Sequence, residues 1–123
     1  TELDMPLDGL AGRPTVAGLN DGNWHHVVAM YDSLTGIKQI AIDGTVRFSA
    51  NYTPGSLINS GGSGAAVIGN FPGGGEPFNG GIDEVAFYGR ALSTTEIANH
   101  YNNVQSGVGY FGTASVAAPE PGS

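Results

Sequence analysis

The sequence predicts an all-β fold, an antiparallel β-sandwich carrying one short helix near its C-terminal end. Three observations lead there. Glycine supplies 21 of the 123 residues, without the three-residue period of collagen, and it punctuates short apolar runs as tight turns punctuate strands. Asp43-Gly44 separates two runs of strand-forming residues, a strong short-range hairpin signal. Ser93-Thr94-Thr95-Glu96 has the spacing of a capping box, and Ile97, Tyr101 and Val104 follow at helical intervals, so one helix packs by one face.

Each element follows from local pattern. Residues 1–7 alternate Leu3, Met5 and Leu7 with Glu2 and Asp4, the period of a half-buried strand; Pro6 restricts it to an edge or loop. Residues 14–19 form a second short candidate, and Asn20-Asp21-Gly22-Asn23 is a turn. Residues 24–30 are the best strand: Val27 and Val28 are β-branched, His26, Val28 and Met30 share one face, and His25, Val27 and Ala29 share the other. After a turn at 33–36, strands at 37–42 and 45–50 meet at Asp43-Gly44. Residues 52–64 are loop, 65–69 a short apolar strand, and 70–79 a loop too rich in glycine and proline for either regular structure. Ile82, Val85, Phe87 and Tyr88 then predict a strand that feeds the helix. Beyond Gly107 the chain turns small and apolar, and residues 108–116 can pair as a strand.

Composition removes several classes of function. The formal charge is −7, and the four basic residues, Arg13, Lys38, Arg47 and Arg90, are scattered. Phosphate backbones need a basic patch, so nucleic acid is not an expected partner. The chain contains no cysteine, and no run approaches the ~20 apolar residues that cross a bilayer as a helix.

The chemistry-bearing residues read mostly as structural. His25 and His26 are neighbours in a strand and point to opposite faces, so they cannot grip one ion together; one is expected beside a packed Trp24 and the other in solvent. His100 lies towards the helix C-terminus, where a cation is favoured. Glycosidases need two carboxylates ~5.5 Å or ~6.5–9.5 Å apart, whereas Asp83 and Glu84 are adjacent and face opposite ways. No serine sits in a Gly-x-Ser-x-Gly elbow. No catalytic residue is therefore expected. Structural roles fall to Trp24, to Ser93 and Glu96 in the capping box, and to Asp83, which is expected to hold the 70–79 loop by accepting its amides. Asn51-Tyr52-Thr53 is a glycosylation sequon. Tyr52, Phe71 and Phe78 lie in loops, where aromatic rings either stack on sugars or fold back as lids.

Three blocks carry a family resemblance. Gly81-Ile82-Asp83-Glu84-Val85, continued by Phe87-Tyr88, Arg90-Ala91-Leu92-Ser93 and Glu96-Ile97, resembles the closing motif of laminin-G-like, concanavalin A-like jelly-roll domains, the group that includes the pentraxins. Trp24-His25-His26-Val27 is similar to that group's Trp-His-His strand, and Ile42-Asp43-Gly44 to its hairpin. The blocks stand in the family's order over residues 19–104, and its N-terminal strands are not matched. A second resemblance lies at the end, where Pro119-Glu120-Pro121 is similar to the start of the bacterial PEP-CTERM sorting signal.

The resemblance implies a jelly roll over residues 1–107, with its N-terminal strands missing or supplied by a partner, and an extended tail over 108–123. It implies a non-catalytic recognition or adhesion module, exported by a bacterium to the cell surface or beyond as a processed piece, with carbohydrate or another surface polymer as ligand. In pentraxin-like members the loop equivalent to 70–79 binds calcium through several acids. Here it offers Asn70, Glu76 and Asn79, so these are the candidate ligand-binding residues; no cofactor is expected, with calcium the one candidate. A jelly roll uses eight strands and about seven can be drawn here, which leaves an edge that a neighbouring copy can complete. A filament subunit assembled through its terminal strands is thus the alternative function, and a fragment of a glycan-hydrolysing enzyme the weaker one.

Overall fold

The computed structural model describes residues 2–4, 15–55, 67–70 and 73–109. Two antiparallel sheets and one helix make up the regular structure of the described residues. Strands β1 (Glu2–Asp4) and β2 (Thr15–Ala17) pair with each other, Leu3 opposite Val16. Strands β3 (Val27–Asp32), β4 (Ile37–Ile42) and β5 (Thr45–Asn51) form a meander in that order, so β4 is central and β3 is an edge. Helix α1 spans Thr94–Gln105.

The β4–β5 hairpin forms where the sequence indicates it, while β3 starts at Val27 rather than at Trp24. β3 and β4 are joined by the turn at 33–36, where Gly36 N–H donates to Asp32 O at 2.8 Å and the Asp32 carboxylate takes the Leu34 amide. β4 and β5 are joined by Asp43-Gly44, with φ of 51° and 77°, the pair of positive values a type I′ hairpin needs. Gly44 is held on a second count, because a Cβ there would lie 3.1 Å from the Tyr101 ring. The register shifts between Ile40, opposite Phe48, and Ala41, opposite Val46. Arg47 is the extra residue of this bulge, and bulges re-aim the side chains they carry.

β4 is buried on both faces. Towards the helix, Ala41 packs with Met30, Leu92 and Ile97, and Val28 and Val46 lie against them. On the other face Lys38, Ile40 and Ile42 are buried, and the Lys38 ammonium sits 5.6 Å from the centre of the Tyr52 ring. Tyr52 thus folds back as a lid.

The capping box forms as its spacing requires. Glu96 N–H donates to Ser93 Oγ at 3.2 Å, and Ser93 N–H to Glu96 Oε2 at 2.8 Å. Gly107, at φ 70°, closes the helix, and Val108 N–H reaches Asn103 O at 2.8 Å.

Three expectations are corrected. The run 82–88 is not a strand: residues 79–92 make no backbone–backbone hydrogen bond among the described residues, residues 79–90 are exposed, and Glu84 has φ 50°. Strand-forming residues need a ladder partner and a surface to pack on. Val67 and Ile68 are likewise irregular and exposed. Trp24 is not a packed core residue, being 72% exposed. The readings placed on residues 5–14, 56–66, 71–72 and 110–123, which include Phe71 and the tail motif, lie outside the described residues.

Candidate functional site

The local geometry that turns Trp24 outward starts from three side chains. Asp21 caps its own turn by accepting Asn23 N–H at 2.8 Å. His25 points to the opposite side from Trp24 and lies between two carboxylates, with Nδ1 2.8 Å from Asp43 Oδ2 and Nε2 3.1 Å from Asp21 Oδ1. Asp43 Oδ1 also accepts His26 N–H at 2.9 Å. Asp43 therefore ties the β4–β5 turn to the entry of β3. Hydrogen bonds from Asn23, then from His25, lower the Asp21 pKa to about 2, while Asp43 and Asp21 raise that of His25. Arg47, re-aimed by the bulge, lines the same small cavity of about 300 Å³.

On the outer side the indole of Trp24 lies against Gly81, where a Cβ would come within 2.7 Å of the ring. Phe78, 53% exposed, lies in the same way against Gly80. These two glycines read in sequence only as loop punctuation; their second role, as cut-outs for aromatic rings, gives no sequence signal. The loop before them closes on itself: Phe78 N–H donates to Gly69 O at 2.8 Å and Glu76 N–H to Asn70 Oδ1 at 3.1 Å. Glu76 and Asn79 are left exposed on either side of Phe78 in the chain, at the rim of this loop.

Among the described residues Asp83 accepts no amide of this loop. Its Oδ1 accepts the neighbouring Glu84 N–H at 2.8 Å, a local turn that uses the carboxylate where it stands. The calcium donor set is equally short. Calcium takes six to eight oxygens, several of them charged, and in this loop Glu76 is the single carboxylate while Asn70 Oδ1 already accepts an amide. Among the described residues no group of three His, Asp or Glu side chains is placed to hold a metal. The residues present do not fit calcium.

From the rim a groove of about 1160 Å³ runs along the sheet. Its floor is the edge strand β3, its wall is residues 81–89, and its end is His100, Tyr101 and Val104 of α1. His26 packs there with its ring 6.5 Å from His100 and 6.3 Å from Tyr101, and Tyr88 stacks on His100 at 6.0 Å. Burial, then the proximity of His100, lowers the His26 pKa. Both histidines are therefore packing residues of the β3–α1 contact, on the face the alternation assigned to His26. Asn51 ends β5 and is exposed.

Comparison with known proteins fixes the family. The model of the Concanavalin A-like lectin/glucanases superfamily matches residues 9–98. This chain belongs to that superfamily. Trp24-His25-His26, the Asp43-Gly44 hairpin and the capping box all fall inside the matched span. No curated protein matches it. Among solved structures, an S-layer domain-containing protein from Clostridium thermocellum is similar in fold, with a TM-score of 0.56 at 23% identity over 81% of this chain. The lectin-like chain described here spans 50% of that structure's length.

Proposed function

We propose that this chain is a non-catalytic recognition module that acts outside a bacterial cell and binds carbohydrate at the rim formed by Trp24, Phe78, Asn70, Glu76 and Asn79. The observation that carries the reading is the exposure of Trp24. A large aromatic ring standing 72% in solvent, on a strand entry fixed by the His25 clamp, is a platform of the kind that sugar C–H faces stack on. The amides and carboxylate of the adjoining loop supply the few convergent polar groups that set orientation in such sites. Membership of a superfamily that contains lectins supports the ligand class. The S-layer domain named in the solved relative supports a surface location.

Binding of the purified chain to immobilised neutral glycans tests the reading. Trp24→Ala and Asn79→Ala are expected to remove binding, while Leu34→Ala, at a residue 86% exposed elsewhere, leaves it unchanged. No binding by the folded wild type, or equal binding by Trp24→Ala, would sink it.

A further inference from the structure

We propose that Asn79 is a site of spontaneous covalent modification, at which the Gly80 nitrogen cyclises onto the side-chain amide and water opens the ring to aspartate and isoaspartate. Asn79 lies in the loop that the sugar reading uses, but the modification does not rest on that reading and is read out chemically.

The step is an acyl transfer within the chain, and water is its only co-reactant. The peptide nitrogen of Gly80 attacks Asn79 Cγ. A Cγ–N bond forms, the Cγ–Nδ2 bond breaks, and ammonia leaves with the hydrogen that the peptide nitrogen gives up through solvent. Water then adds to the cyclic imide. Opening at Cγ restores the ordinary peptide link and leaves aspartate at position 79. Opening at the Asn79 carbonyl carbon leaves the chain running through Cγ, an isoaspartate with an extra backbone atom. No electrons change hands.

Sequence and structure single out this asparagine together. A following glycine carries no Cβ to shield the attacking nitrogen, and Asn79 is the one asparagine of the chain that glycine follows. The structure leaves the pair unrestrained. Phe78 N–H is tied to Gly69 O at 2.8 Å, and past that anchor residues 79–92 make no backbone–backbone hydrogen bond among the described residues. No described residue hydrogen-bonds the Asn79 side chain or the Gly80 amide either. Both residues are exposed, so water reaches the amide, and a backbone held in no ladder can rotate into the geometry of attack.

Other pairs of the same chemistry are restrained. Asp21-Gly22 and Asp43-Gly44 can close the same imide, but only from the protonated acid, because an ionised carboxylate is a poor electrophile. Asp21 accepts Asn23 N–H at 2.8 Å and lies 3.1 Å from His25 Nε2, contacts that keep it ionised. Asp43 accepts His26 N–H at 2.9 Å and lies 2.8 Å from His25 Nδ1, in a hairpin whose φ values are 51° and 77°. Asn70, in the same loop as Asn79, spends its side-chain oxygen on Glu76 N–H at 3.1 Å and is followed by the bulky Phe71. The product at position 79 differs in kind from its parent. A neutral amide that donates and accepts becomes an acceptor-only carboxylate, in the loop of Glu76 and on a chain already at −7. On the sugar reading, conversion removes a donor from the rim.

The test holds the full chain at about pH 8 and about 37 °C, beside a sample kept unfolded in urea. Samples taken over time are digested and mapped by mass spectrometry, with aspartyl and isoaspartyl peptides separated by chromatography. Conversion is expected first at Asn79, with a mass gain of about 1 Da and a more acidic charge variant, at a folded rate within about tenfold of the unfolded rate. At Asp21 and Asp43 the folded chain should form isoaspartate more than about tenfold more slowly than the unfolded one. Asn79→Gln, whose longer side chain closes a larger ring far more slowly, should abolish that acidic variant, and Asn79→Asp should reproduce its charge from the start. Conversion of Asn79 more than about tenfold slower in the folded chain than in urea overturns the proposal, because the fold would then restrain the loop. So does an acidic variant that persists in Asn79→Gln, or one that maps first to another asparagine.

Discussion

At the scale of single residues, Asp43 does the most. It accepts from the His25 ring and from the His26 amide and occupies a turn position at φ 51°. Asp43→Ala removes both acceptors and puts a Cβ-bearing residue with no compensating hydrogen bond in the left-handed region; a loss of about 2 kcal/mol is expected in urea unfolding. The pH dependence has a definite sign. Neutral imidazole has one N–H and can donate to only one of its two carboxylates, whereas imidazolium donates to both. A histidine whose pKa rises on folding contributes fully below its ordinary value near 6.5, and the contribution fades as pH rises through the higher folded value. The wild-type advantage over Asp43→Ala should thus be larger at about pH 5.5 than at about pH 8.5; an equal or reversed difference would show that the clamp does not favour the charged ring. Trp24 makes the opposite case. Exposed as it is, Trp24→Ala should change stability by no more than about 0.5 kcal/mol, and a large drop in melting temperature would return the residue to the core role its sequence suggested.

At the scale of elements, sequence and structure agree where the chain supplies both partners of an interaction. The β4–β5 hairpin needs only its turn and its own two strands, and the capping box needs only residues three apart, so both were legible. Ser93→Ala should cost about 1 kcal/mol of helix stability, read from the melting of the far-ultraviolet signal. Acid should act on the same cap. Arg90, bidentate on Glu96, and then the Ser93 amide hold the Glu96 pKa down to about 2 from 4.5. A group with a depressed folded pKa contributes above its unfolded value and loses that contribution as pH falls through the folded one. Helix signal should therefore decline between about pH 4.5 and 2, and Glu96→Gln should flatten the decline; an unchanged profile in that variant would remove the cap as its cause. The stretch 82–88 was read as a strand from composition alone, and composition does not reveal whether a ladder partner exists. The same limit hid the roles of Gly80 and Gly81, whose neighbours Phe78 and Trp24 meet them only through tertiary approach. Trp24 was misread, because a tryptophan at the head of a strand-forming run looks like core, whereas it stands 72% exposed.

At the scale of the whole molecule, the superfamily contains both lectins and glucanases, so the fold leaves the choice between binding and hydrolysis to the site. The carboxylates of the described residues support the binding reading proposed above. Hydrolysis of a glycosidic bond needs one acid and one base or nucleophile flanking the same bond. Asp83 accepts the amide of Glu84, and both side chains stand in solvent. Asp21 and Asp43 are engaged with His25, and Glu96 is engaged with Arg90 and the helix cap. A general acid has its pKa raised towards neutrality, whereas the shifts resolved for Asp21, Asp32 and Glu96 are all downward. The expected outcome is that the purified chain releases no reducing sugar from β-glucans or other neutral polysaccharides across about pH 4–8, even where it binds them. Turnover that survives repurification and disappears in the double variant Asp83→Asn with Glu84→Gln would show that the pair works as a catalytic unit and would overturn the binding-module reading.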